Sequence, residues 1–429
     1  MGLTRQAVVL VLVGLATLTV VHVSGPQDWT RIELTRSLAL RGSLQVPANL
    51  PIDKSIYGGH TYADKAPGMS VLAIPAFEVE RALGVAKPRA KWDDEGDLSV
   101  WGLRLGAGGI LFLLTVWLVM QVAGAAAGAT FGAGTLASPL AATMFAHVAA
   151  GGLGLAAFLL ARRPTARRAA AAGFVGGCAV LVDYPAVVIV AAVAIVVALR
   201  APRRLGWFVL GGLPPLAALL AYNAAAFGSP FHLSYRYEAP PFSERQRHGF
   251  FGIGVPSLHG LKEVLIGDRG LLLFSPVLVL AAVGLWLLWR EGQRLEAGVA
   301  AAITAVFVFS DAGYFLPYGG ASPGPRFLVP ALPFLVLGLG PAFRRWPRTT
   351  TTLAAISIVL TTADLLTYAL RNPNDTWYPG HGESDLAKTV WVWLGMNRND
   401  GAAIVLLCSL AALAVATWPL VRPRQRPVA

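Results

Sequence analysis

Apolar runs of bilayer-spanning length recur along this chain from one end to the other. "AVVLVLVGLATLTVV" (7–21) is followed at intervals by "GILFLLTVWLVMQVAG" (109–124), "AVVIVAAVAIVVALR" (186–200) and "GAAIVLLCSLAALAVATWPLV" (401–421). A helix needs about 20 mostly apolar residues to cross the hydrocarbon core, where every peptide group must bond within its own segment. The runs therefore predict an all-α polytopic membrane protein. Composition agrees: 55% of the 429 residues are hydrophobic and 14% charged, with a mean hydropathy of +0.59. A soluble chain would carry about 25% charged residues. No polar stretch is long enough to bury a core of its own, so residues 1–429 read as one integral-membrane domain. Cys178 and Cys408 both fall inside apolar runs and read as small buried hydrophobes.

The expected spans are Ala7–Val23, then 100–121, 123–137, 139–161, 169–182, 185–199, 207–224, 271–290, 296–312, 327–343, 349–370 and 401–420, about 12 transmembrane helices in all. "VHVSGPQD" is a poor cleavage site, so the first is read as a retained helix and not a signal peptide. Arginine placement orients them. With a cytoplasmic N-terminus, one face collects Arg5, "ARRPTARR", "RAPRR", "REGQRLE", "FRRWPR" and "VRPRQRP", which hold 16 arginines and two acids, Glu291 and Glu296. The other face holds 19 bases and 21 acids. Cytoplasmic loops carry the basic excess, so the N- and C-termini are expected in the cytoplasm of a cell (inner or plasma) membrane. The net charge of +12 is then a topology signal facing anionic lipid, not a nucleic-acid surface.

This orientation puts segments 24–99, 225–270, 313–326 and 371–400 outside. The first opens with Ile32, Leu34, Leu38 and Leu40 interleaved with Arg31, Glu33, Arg36 and Arg41, the pattern of an amphipathic interface helix ended by Gly42. "MSVLAIPAFEVERALG" is too short to span and too apolar to float, and reads as a second interface helix or re-entrant piece. "KPRAKWDDEGD" is a solvated turn. Asp28 lies where the first helix exits. An acid there reads equally as an N-cap or as a partly desolvated base. Between the two helices lies the polar knot "YGGHTYADKAPG" (57–68). Tyr57, His60, Tyr62 and Lys65 supply donors suited to a phosphate or a sugar, and Asp64 reads as a turn acid or a functional one. Arg269 and Arg326 sit beside glycines or prolines at outer membrane boundaries. They read as snorkelling side chains or as a clamp on a lipid phosphate. The last loop, with Trp391 and Trp393, fits sugar stacking and interfacial anchoring equally.

Absences narrow the classes. The chain has no phosphate-cradling Gly-rich Walker loop, no HExxH and no evident repeat of one half in the other. Asp183, Asp311 and Asp364 lie near outer span ends, whereas transporters and pumps keep ionisable groups at the midplane.

Four stretches resemble the GT-C class of membrane glycosyltransferases, in its family 39-like group of polyprenyl- or dolichyl-phosphate-sugar-dependent protein mannosyltransferases and aminoarabinose transferases. They are "SGPQDWTRIELTRSLALRGSL", "DKSIYGGHTYADKAPGMSVLAIPAF", "FGSPF…DRGLLLFSPVLVL" and "YGGASPGPRFLVPALPF". The resemblance implies a GT-C-like bundle with interface helices in the first external loop. It also implies transfer of a sugar from a polyprenyl-phosphate donor to a hydroxyl of a glycan, lipid or protein acceptor on the extracytoplasmic face, with inversion. Asp28 matches the group's base position. Many members carry an Asp-Glu pair there and this chain has a lone acid, so Asp53 and Asp64 stand as rival bases. Arg269, Arg326 and Lys65 would hold the phosphate, with Arg31, Arg36, Tyr57, His60, Tyr62 and Tyr318 among the substrate-binding residues. No cofactor is required; a divalent metal is possible but not indicated. The alternative is a lipid-linked glycan flippase or exporter that breaks no bond.

Overall fold

The computed structural model describes residues 2–22, 24–50, 52–86, 97–367 and 386–421. Most of the turn at 87–97, the expected loop residues 371–385 and the arginine tail beyond 421 lie outside these.

Among the described residues, six helices are long and apolar enough to cross a membrane: Leu98–Ala123, Pro202–Phe227, Arg294–Ala312, Arg326–Arg345, Pro347–Leu366 and Arg398–Val421. Leu258–Phe274 and Leu278–Arg290, bent by 91° at their junction, make a seventh if taken as one. Shorter apolar helices run over Thr4–Thr17, His147–Ala161 and Tyr184–Arg200. Length and apolarity thus account for six or seven of the about 12 crossings expected.

One expected span takes a different form. Residues 123–137 are not a single helix but a nine-residue helix, Ala125–Ala133, followed by Ala137–Ala141. At 1.5 Å per residue the first reaches about 14 Å, half a bilayer. Its Ala and Gly side chains let neighbours approach on every side, and all but its first residue are buried. Another largely enclosed segment is Arg326–Arg345, buried apart from Phe327 and the exposed Arg344 and Arg345 at its end. Pro330, Pro333 and Pro341 remove backbone donors there and split it into short helical pieces at the centre of the bundle. Helices Ala166–Val182 and Leu205–Phe227 pack so closely that a Cβ at Gly173 would run into the Phe208 carbonyl. Cys178 and Cys408 are free thiols, half-buried and not in the core.

The two helices expected in the first external loop are present as Pro26–Arg41, which ends at Gly42, and Gly68–Ala82. The first is not the amphipathic surface helix its pattern describes. Arg31 and Arg36 are each only 2% exposed, so the face that the sequence leaves polar is covered. Between the helices the polar knot folds as a β-hairpin, Lys54–Tyr57 paired with His60–Ala63. Gly58 and Gly59 take positive φ values of 57° and 79°. A two-residue turn that matches strand twist needs such angles at both positions, and glycine adopts them at no steric cost. A second small pairing joins Val20–Val21 to Lys388–Thr389 and ties the exit of the first helix to the approach of the last.

Candidate active site

A cavity of about 370 Å³ opens where the first-loop helix, the hairpin and the later loops meet. Its lining comes from the ends of helices that face these loops. The arginine-rich turns at 162–168, 200–204, 290–294 and 344–348 lie at the opposite ends of the same helices.

Helix Pro26–Arg41 supplies one wall. Gln27 and Arg31 stand one turn apart on the cavity, and Arg31 Nη1 donates to Gln27 Oε1 at 2.9 Å. Asp28, on the neighbouring face, does not line the cavity. Its carboxylate is fully buried and accepts from Met144 N at 2.6 Å, Arg104 Nη2 at 2.8 Å and Gly25 N at 3.1 Å. Arg104 also donates to His22 O at 2.6 Å and to Ser24 Oγ at 2.9 Å. The bond back to Gly25 satisfies a donor just before the helix; Gly25 is the N-cap and Asp28 sits three residues inside, not at the cap position expected from the sequence.

The hairpin supplies the second wall. Asp53 precedes it with a φ of +53°, a left-handed conformation that aspartate tolerates better than most residues. Lys65 follows it. The Lys65 ammonium contacts the Asp64 carboxylate, lies 3.4 Å from Asp53 Oδ1 and sits over the Tyr235 ring at 5.6 Å. Asp53, Asp64 and Glu238 offer oxygens within 4.8 Å of one another, so this trio has the spacing of a cation site. Lys65 already brings a positive charge into it. Burial pushes Asp64 above its ordinary value while Lys65 pulls the other way. Burial draws Lys65 down, but Asp64 and Asp53 outweigh it and hold the ammonium well above the usual lysine range. Burial lifts Glu238 to about 7 against the pull of Lys65.

The third wall is the loop before the central buried segment. Arg326 lies with its guanidinium 5.0 Å from the Phe145 ring and 5.1 Å from the Phe327 ring, cation–π distances that fix its place on the cavity. His147 lies against the same two rings, at 6.0 and 5.5 Å, and its Nδ1 is 2.8 Å from Asp183 Oδ2. Asp311 also faces the cavity, and neither of its buried oxygens has a hydrogen-bond partner among the described residues.

Of the residues singled out in the sequence, the cavity brings together Arg31, Asp53, Lys65 and Arg326, with Asp64 directly behind Lys65. The others lie elsewhere. Arg36 pairs with Glu33 at 2.9 Å. Tyr57 packs on Tyr237 at 4.8 Å and Tyr62 on Phe227 at 5.4 Å, so both brace the hairpin from behind. His60 is exposed at the turn. Arg269 Nη1 donates to Ser322 O at 3.3 Å. Tyr318 OH accepts from Arg269 N at 3.4 Å and donates to Glu263 Oε2 at 2.8 Å. Arg269 and Tyr318 therefore buttress the loop that carries Arg326. His147, Asp183, Glu238 and Asp311 were not singled out as site residues. The signal available for Asp183 and Asp311 was an ionisable residue ending an apolar run.

The fold is similar to that of solved structures of ArnT. ArnT from Cupriavidus metallidurans in the apo state superposes with a TM-score of 0.55 at 18% identity, over 97% of this chain and 76% of that one. The same protein bound to undecaprenyl phosphate gives 0.54 at 16% identity, with the same coverage of 97% and 76%. Arabinosyltransferase EmbB from Mycobacterium smegmatis gives 0.45 at 14% identity, over 96% of this chain and 41% of that one. No protein-family model and no curated protein sequence matches the chain.

Proposed function

We propose that this protein is a membrane glycosyltransferase that moves a sugar from a polyprenyl-phosphate donor to a hydroxyl acceptor on the extracytoplasmic face, inverting the anomeric centre. The observation that carries the reading is the meeting of three cationic side chains, Arg31, Lys65 and Arg326, on one cavity flanked by aromatic rings. The shared fold supports it, since a structural neighbour is seen bound to undecaprenyl phosphate. Breaking the sugar–phosphate bond turns a phosphodiester into a monoester and adds negative charge to its oxygens. Cations fixed in advance around that charge stabilise it most in the transition state. Lys65 is held for this by Asp64 and Asp53. The phosphate leaves as a fair leaving group, so the reading requires no metal. The arginine-rich turns support a cytoplasmic location for the opposite end of the bundle.

Of the three acids considered as base, Asp28 lies behind the cavity with both oxygens engaged, and Asp53 and Asp64 are occupied with Lys65. The deciding experiment uses the purified full-length chain in lipid nanodiscs with a panel of synthetic undecaprenyl-phosphate pentoses and hexoses. Release or transfer of the sugar is expected. Movement of the lipid-linked sugar across vesicles without cleavage would overturn this reading in favour of a flippase or exporter.

A further inference from the structure

The cavity also holds a His–Asp pair of the kind that orients a general base. His147 begins one helix and Asp183 ends the next, 36 positions along the chain, and both line the cavity. Asp183 engages Nδ1 of His147 at 2.8 Å. Nε2 of His147 is buried with no hydrogen-bond partner among the described residues. An imidazole whose Nδ1–H is held by a carboxylate is fixed in the tautomer that leaves Nε2 with a lone pair. A buried imidazole nitrogen left without a partner costs stability unless something else bonds it. The same two rings, Phe145 and Phe327, contact both His147 and Arg326, so the imidazole and the guanidinium are neighbours across a pair of phenyl rings.

Resting on the reading above, we infer that His147 is the general base that deprotonates the acceptor hydroxyl, with Asp183 as its positioning residue. The acceptor O–H proton goes to Nε2. The acceptor oxygen forms a bond to the anomeric carbon as the bond from that carbon to the phosphate oxygen breaks, and the electron pair leaves on the polyprenyl monophosphate. The imidazolium so formed bonds to Asp183 and later returns its proton to solvent.

The charged groups around His147 are Asp183 at the end of helix Ala166–Val182, Arg326 on the loop before the central segment, and Arg31 on helix Pro26–Arg41. Turnover should fall on the acid side as His147 protonates. Asp183→Asn should move that limb to lower pH, because the imidazolium loses its counter-ion.

The test measures turnover of the responsive undecaprenyl-phosphate sugar and, separately, binding of undecaprenyl phosphate alone to full-length protein in nanodiscs. His147→Gln should lower turnover about 10²–10⁴-fold while undecaprenyl phosphate binding stays within a few-fold, which also reports an intact fold. Added imidazole should partly restore His147→Ala, and Asp183→Glu should keep the wild-type limb better than Asp183→Asn. Turnover of His147→Gln near wild type, or an unmoved acid limb in Asp183→Asn, would overturn the inference and leave the transferase reading standing. A wild-type chain that neither binds undecaprenyl phosphate nor cleaves any lipid-phosphate sugar would take down both.

Discussion

Two buried acid–base pairs sit within one loop of each other and are built for different ends. Asp28 and Arg104 are 0% and 2% exposed at their side chains, 2.8 Å apart, and further backbone and side-chain groups close around both. Lys65 and its two aspartates are also largely enclosed, but Lys65 and Asp53 form cavity wall. Both carboxylate oxygens of the first pair are engaged within the protein. The second keeps a charged face toward an empty volume, a cost in desolvation that a bound anion would offset. Acidity near the first helix is common to both and does not distinguish them; which of them borders the cavity does.

Removing one member of the closed pair should have the largest effect on stability. Asp28→Ala leaves the Arg104 guanidinium buried without its carboxylate, a loss of about 3–5 kcal/mol for a broken buried pair. Thermal unfolding in detergent should show a large drop in Tm, while turnover per folded molecule changes little. A stable Asp28→Ala protein without turnover would reverse the comparison and make Asp28 the catalytic base. Lys65→Met should behave in the opposite way, with turnover down about 10²–10³-fold as for the loss of one preorganised charge and a smaller change in Tm. Chelation with EDTA sharpens the same point. The Lys65 assignment expects undiminished turnover, and loss restored by magnesium or manganese would show that Asp53, Asp64 and Glu238 hold a metal.

The two arginines at the outer boundaries form a second contrast of the same kind. Arg326 borders the cavity and Arg269 braces its loop through Ser322. A charge-assisted bond to phosphate is worth about 1.5–3 kcal/mol. Arg326→Ala should thus weaken undecaprenyl phosphate binding roughly 10–100-fold with little change in acceptor KM. Arg269→Ala should appear mainly as lower thermal stability. Equal losses of donor affinity in both would place both guanidiniums on the phosphate.

What was readable in advance follows the range of each interaction. Apolar runs, the helix that stops at Gly42 and the second loop helix depend on neighbours within a few residues, where periodicity and end signals act. The hairpin was equally local, signalled by Gly58–Gly59 between two short β-prone segments, and was missed because the polar residues drew the reading toward a ligand. The cavity is non-local. Met144 N meets Asp28 116 positions away, and Arg31 and Arg36 lie beneath segments whose approach no local pattern encodes. Alternating charge in helix Pro26–Arg41 looked like a surface, and the protein uses it as wall and interior.

A third buried acid gives the smallest of the expected effects, and it probes incomplete pairing away from the cavity. Glu80, on the second loop helix, accepts from Ser99 Oγ at 2.8 Å through one oxygen, while the other, buried, has no hydrogen-bond partner among the described residues. Burial raises it to about 7, with Ser99 and Arg36 pulling the other way. A carboxyl raised on folding contributes stability that is complete below its unfolded value near 4.5 and is lost as pH rises through 7. Unfolding in this window releases the proton that the folded chain retains. The Tm of the wild type should therefore decline from about pH 5 to about pH 8, and Glu80→Gln, which keeps the shape and cannot ionise, should flatten that decline. Asp64 and Glu238 are raised in the same direction, so part of the slope should survive in the variant. A slope unchanged by Glu80→Gln would assign all of it to the cavity carboxylates, and the pH dependence of stability would then belong to the open site alone.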